Sequence, residues 1–261
     1  MMKRIFIITI LCVLIGVVTP VNAAVMQGGV VEQSEAKYNR VYDKSTQAPI
    51  SGAKISMPQT GFVTYSDANG GFNVPNYIPQ NTILSVEKLN YKPFSITITD
   101  GGFGKPLSIG VSKSSSFDIT IDSNICHLGD NNYSMDSANA YQFKSQSHGR
   151  AYVKRFFMGN KAKARQNHVV FGSIIGVDTA LARGMGQNQI INAYASAPVI
   201  LFNGHKIAEI KINGDNQRIK IPSELIRVNQ QNELRIIAGR NLKQTAYVDY
   251  DDFEFMHINI E

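Results

Sequence analysis

The sequence contains no tryptophan, so any platform for stacking a sugar ring has to come from its 11 tyrosines or 13 phenylalanines. It has two cysteines, and Cys12 falls inside the N-terminal leader, which leaves Cys126 alone. That excludes an intramolecular disulfide and a multi-cysteine zinc site in the processed chain. Local catalytic signatures are also missing. The five histidines include no i, i+4 pair, and there is no H-E-x-x-H and no G-x-S-x-G. Around Gly104-Lys105, Pro106 stands where a P-loop needs Ser or Thr, and Thr99 where it needs its first Gly. The expectation is a protein that is not an enzyme, although carboxylates brought together from separate strands leave no local motif. Charged residues are sparse at 18%, and no stretch after residue 18 reaches membrane-spanning length.

The first 23 residues read as a secretory signal peptide. Lys3 and Arg4 precede an apolar run from Ile5 to Val18, Pro20 breaks it, and Val21-Asn22-Ala23 presents compact residues for cleavage before Ala24. Processing removes two cations and leaves 24 basic against 20 acidic residues, a net charge of +4. An excess that small gives no reason to expect nucleic acid as a partner. A secreted or periplasmic protein without a membrane span follows.

Short alternating runs dominate the remainder. Ala53-Lys-Ile55-Ser-Met57, Phe94-Ser-Ile96-Thr-Ile98 and Phe117-Asp-Ile119-Thr-Ile121 all repeat with period two, which marks half-buried strands. Asn203-Gly204 and Asn213-Gly214 are hairpin signals, and Ser66 to Gly71 is a turn rich in residues that accept positive φ. Met256, Ile258 and Ile260 share one face of a final strand by the same alternation. The expected class is all-β, with two β-sandwich domains. Residues 24–36 lack periodicity and read as a flexible segment, 37–112 as the first sandwich, 113–116 as a serine-rich linker, and 117–261 as the second. With no apolar residue in Lys113 to Ser116, the two sandwiches are expected to fold separately.

The order Val41-Tyr-Asp43, Pro49-Ile-Ser-Gly52-Ala53, Asp67-Ala-Asn69-Gly70-Gly71-Phe72 and Asn90-Tyr91-Lys92-Pro93 resembles the carboxypeptidase regulatory-like domain, a transthyretin-like sandwich. The second half rests on His127-Leu-Gly-Asp130, Ala138-Asn139-Ala-Tyr141-Gln-Phe143, His148-Gly149-Arg150-Ala-Tyr152 and Asp251-Asp252-Phe253. It resembles a galactose-binding-like jelly roll of the carbohydrate-binding-module kind. That resemblance implies two facing sheets, ligand capture by loops or by a concave face, and a structural calcium ion tying first and last strands. Asp130, Asp251 and Asp252 are the candidate ligands. Their alternative role is as turn residues and an acidic edge against aggregation.

From Ser137 to Val177 there are 41 residues without an Asp or Glu, with seven cations interleaved with aromatics. Arg150, Tyr152 and Lys154 fall on one face at even spacing and are the candidate site for an anionic glycan, Arg gripping carboxylate or sulfate and the ring stacking on sugar. In the competing arrangement the aromatics enter the core and the cations face water. Together these features point to an exported carbohydrate-binding protein for polysaccharide or glycoconjugate. The rival functions are a structural or adhesive module contacting envelope proteins and, less favoured, a glycan-active enzyme.

Overall fold

The structure, a computed structural model, describes residues 24–26, 29–33, 38–99, 106–131, 143, 145–188, 190 and 194–261. The expected leader lies outside them. Nine strands build the first sandwich: β1 (Ala24–Met26), β2 (Gly29–Gln33), β3 (Asn39–Asp43), β4 (Lys54–Met57), β5 (Phe62–Tyr65), β6 (Gly71–Phe72), β7 (Thr82–Glu87), β8 (Phe94–Ile98) and β9 (Leu107–Val111). One sheet runs β1-β2-β9-β3-β6 and the other β5-β4-β7-β8. The apolar positions of the alternating runs, Ile55, Met57, Leu84, Val86, Phe94 and Ile96 among them, face inward onto Val41 and Ile109.

Two expectations change here. The 24–36 segment is not simply a loose lead-in, because β1 and β2 extend the first sheet and β2 pairs antiparallel with β9. Filling an open sheet edge takes backbone groups, not side-chain alternation, so periodicity gave no warning of it. The Asp67 turn is well formed, its Oδ1 accepting from the Asn69 and Gly71 amides with Gly70 at φ +75. It links β5 in one sheet to β6 in the other, however, and so is a crossover instead of a hairpin.

The second sandwich contains β10 (Ile119–Asp122), β11 (Cys126–Leu128), β12 (Ala151–Phe157), β13 (Asn167–Ile175), a short helix α1 (Ala180–Gly184), β14 (Val199–Phe202), β15 (His205–Glu209), β16 (Gly214–Ile221), β17 (Gln231–Ile237) and β18 (Phe253–Ile260). Its sheets run β10-β18-β13-β16, with β11 also on β18, and β12-β17-β14-β15. Phe171, Phe202, Phe253 and Phe255 are fully buried between them. Cys126 is buried there too, and burial pushes its thiol up to about 12, which makes it an inert packing residue. Asn203-Gly204 forms the expected hairpin between β14 and β15. Asn213-Gly214 does not, since β15 and β16 belong to different sheets. The Asn213 side chain instead brackets Val177, accepting from its amide at 2.7 Å and donating to its carbonyl at 3.1 Å.

β18 also departs from simple alternation. His257 adopts φ +56, and the inward phase slips by one residue there. Phe253, Phe255, Ile258 and Ile260 face the core, while Met256 packs outward with Ile83 and Ile175.

That outward face meets the outer face of β4, β7 and β8, so four sheets stack in sequence. The seam between the sandwiches is buried and largely polar. Ser85 Oγ lies 2.8 Å from His257 Nε2, Ser95 Oγ 2.9 Å from Ser173 Oγ, and Asp215 accepts from the Thr97 amide and hydroxyl at 2.9 and 2.7 Å. Gln59 donates to Glu254 at 3.3 Å, and at the rim Lys92 bridges Asp118 and Glu261. Coupling between the sandwiches therefore runs through their sheet faces, a route that the polar linker could not reveal. Separate folding is not what this seam supports. Gly172 sits in this seam, and an added Cβ would collide with Ser95 Oγ and lie 2.8 Å from His257 Cβ. Gly172→Ala should therefore cost about 1–3 kcal/mol, as overpacking does elsewhere. Urea unfolding reads this, and a midpoint equal to that of the parent protein would mean that the seam is loose.

Candidate functional site

β12 is an edge strand, paired with β17 on one side only. Its even positions face inward, and at the edge long side chains reach past the core into water. Tyr152 is 7% exposed, packs edge-on against Phe255, and donates its hydroxyl to Asp122 at 3.0 Å. A ring held there is not offered to a sugar face, which corrects its expected stacking role. Lys154 pairs with the same Asp122 at 2.8 Å. Arg150 is exposed and donates to the Tyr250 hydroxyl at 3.1 Å. The Arg150 bond also holds the Tyr250 phenol below its usual range, and Arg240 lies 5.7 Å from the Tyr250 ring centre. The structure thus keeps Tyr152 and Lys154 together on Asp122, with Lys154 Nζ 5.6 Å from the Tyr152 ring centre, and directs Arg150 to Tyr250 instead. Of the same acid-free stretch, Tyr141 and Lys144 lie outside the described residues.

The other end of β12 offers a better-formed site. Phe157, at 65% exposure, and Phe117, at 42%, line a groove of about 310 Å³ with Ile119, Met158, Lys161 and Arg165. Lys161 Nζ stands 5.6 Å and Arg165 Cζ 5.2 Å from the Phe117 ring centre. Arg165 also donates to the Phe117 carbonyl at 2.7 Å, which fixes the guanidinium at the groove wall. Among the described residues neither cation has an acidic partner, so both keep their charge available. Lys161, Arg165 and Phe157 belong to the acid-free stretch, whose composition was the available signal. Phe117 lies 40 residues upstream of Phe157, and its arrival beside Lys161 and Arg165 is a product of the fold that no local spacing encodes.

The expected calcium ligands have other partners. Asp252, 1% exposed, accepts from His127 Nε2 at 2.8 Å and from the Asn131 amide at 3.2 Å. His127 Nδ1 faces the Ser145 carbonyl at 2.8 Å, so the ring is held from both of its nitrogens. Gly129, at φ +146, makes room for the Asp252 carboxylate, which any Cβ there would strike. Asp251 accepts from the Asp178 amide at 3.2 Å, and burial, with the Asp178 carboxylate next in effect, raises its pKa well above the usual range. Asp130 accepts from the Tyr250 amide at 2.8 Å. Among the described residues no group of three His, Cys, Asp or Glu side chains is placed to hold a metal ion. Asp130 and Asp252 tie the 127–131 turn to the start of β18, while Asp251 ties the same strand start to Asp178.

No curated protein matches the sequence. A family model does match the first sandwich, over residues 40–118, from within β3 to just short of β10 and including the Asp67 crossover turn. The second sandwich and its groove lie beyond the match, except for Ser116 and Phe117 near its end. The matching model is that of the CarboxypepD_reg-like domain, to which residues 40–118 are similar.

Proposed function

We propose that the protein is an exported, non-catalytic binding protein that holds an anionic polysaccharide in the Phe117–Phe157 groove. The CarboxypepD_reg-like domain serves as its scaffold. The observation that carries this reading is the convergence, in one open groove, of two exposed phenyl rings and two cations without acidic partners. Ring faces suit the apolar faces of sugars, and a fixed guanidinium suits a carboxylate or sulfate. The resemblance of the second half to carbohydrate-binding jelly rolls supports the same class of ligand.

Titration calorimetry against a polyuronate, a sulfated polysaccharide and a neutral glucan tests the proposal. Arg165→Gln should weaken binding of the charged polymers roughly tenfold or more, the usual worth of a hydrogen bond to a charged group. Phe117→Ala should weaken it as well. Binding should also fade between 0.1 and 1 M salt as the screening length falls from about 10 to about 3 Å. Affinity unchanged in both variants would remove the groove from the function. Failure of every polymer to bind would favour an adhesive module acting on envelope proteins.

A further inference from the structure

At the opposite end of the second sandwich, two loops gather exposed apolar side chains. Leu181 and Met185 project from α1 and the turn after it, and Leu242, Tyr247 and Val248 from the 241–249 loop, each 50–57% exposed. The backbone brings the loops together. Thr179 bridges Ala195, Ala195 bridges Asn241, and the Leu242 amide donates to the Tyr194 carbonyl at 2.8 Å. Neighbouring strands lie about 4.8 Å apart, which places Thr179 and Asn241 roughly 10 Å from one another.

The 241–249 loop is braced from within. The Asn241 amide donates to the Asp249 carbonyl, and Asn241 Oδ1 accepts from the Lys243 and Gln244 amides. Its apolar tip is thus presented without a further folding step. At its base Arg240 bridges Tyr250, and Arg150 converges on the same tyrosine. The acids that flank these loops, Asp178 and Asp249, are buried, whereas 180–196 and 240–248 contain none and carry cations, Arg183 in one and Arg240 and Lys243 in the other. Among the described residues Asp130 is an exposed acid near this end, and its carboxylate is engaged with the Tyr250 amide.

We propose that this end of the molecule docks on an anionic lipid surface, with Leu242, Tyr247 and Val248 entering the headgroup boundary and Arg150 and Arg240 meeting lipid phosphates. Apolar tips on irregular loops, ringed by cations, combine the two attractions that hold peripheral proteins to membranes. Charge complementarity favours a phosphate-bearing bilayer as the occupant. The site is separate from the groove, since β12 runs from Ala151, next to Arg150 at this end, to Phe157 at the other.

Sedimentation of the whole protein with phosphatidylglycerol-rich and pure phosphatidylcholine vesicles is the test. The phosphatidylglycerol vesicles should capture the protein preferentially. Each basic residue near an anionic surface is worth roughly fivefold in partitioning, so Arg150→Gln with Arg240→Gln should lower capture roughly 25-fold. Leu242→Ser with Tyr247→Ser should abolish it at both low and high salt, with an unchanged melting temperature showing intact folding. Phe117→Ala with Arg165→Gln should leave capture unaltered, which keeps failure of the groove distinct from failure of this surface. Absence of capture, equal capture by both vesicle types, or indifference to the tip variants would overturn the proposal.

Discussion

Asp252→Ala should lower the free energy of unfolding by about 3–5 kcal/mol, the typical cost of removing one member of a buried charged pair. The carboxylate is 1% exposed, and it takes both the His127 Nε2 proton and the Asn131 amide. Truncation removes the acceptor for both at once, in a position where water has little access. Against a stability of about 5–15 kcal/mol for an ordinary domain, a loss of that size is a large share. Asp252→Asn should cost less, because its amide oxygen still accepts one bond. Urea denaturation of both variants decides the point. A loss below about 1 kcal/mol in Asp252→Ala would mean that the pair behaves as though it were on the surface.

The second large effect is a dependence on pH centred on the seam. Glu254 is buried between Gln59, Ser145 and His127, and desolvation pushes its carboxyl up to about 7. The folded state therefore binds more protons than the unfolded state between about 4.5 and 7. The stabilisation is complete below 4.5 and is lost as pH rises through 7. His257, beside Ser85, is pushed down to about 3, again by desolvation first. There the unfolded state binds more protons, and stability is lost as pH falls from about 6.5 toward 3. Between about 4.5 and 6.5 these two slopes oppose each other. Glu254→Gln keeps the hydrogen bonds and removes one of them. Relative to the parent protein it should be level near pH 4.5 and more stable above pH 7, by on the order of 3 kcal/mol. It should also uncover the His257 slope on the acid side. Parallel stability curves for the two proteins would show that Glu254 titrates as a solvated acid.

Alternation in β4, β8, β10 and their neighbours made the β class readable from sequence, because a half-buried strand has to repeat with period two. The same rule misjudged the outer faces. Ser85, Ser95, Thr97 and Ser173 occupy the polar positions of alternating strands and look solvent-facing, yet they are the contact surface between sandwiches. Small hydroxyl side chains allow sheets to approach while bonding one another, and nothing local distinguishes that use from exposure to water. Met256 was misassigned because the φ +56 at His257 shifts the phase, an event without a signature in residue type. For the candidate groove, the acid-free stretch supplies Phe157, Lys161 and Arg165, while Tyr152 of the evenly spaced trio is buried. Even spacing grouped Arg150, Tyr152 and Lys154, but which face of an edge strand meets the core depends on the partner sheet.

β18 is the last strand of its sandwich, and it lies between β10 and β11 on one side and β13 on the other. Every other strand of its sheet except β16 pairs with it, and its own phenylalanines fill the centre of the core. A chain emerging from its N-terminus has all strands of the first sandwich by Val111, but the face that this sandwich buries on the second is then still uncovered. The second must wait until residue 260 is free, with its apolar strands uncovered for the whole interval. Vectorial synthesis or passage through a narrow channel thus imposes a sequence of events: first a head with its seam face open, then a long open segment, then closure in one step that covers both. Holding chaperones would find their binding surface in the 117–252 interval, and a chain interrupted anywhere within it would be left as prey for proteases.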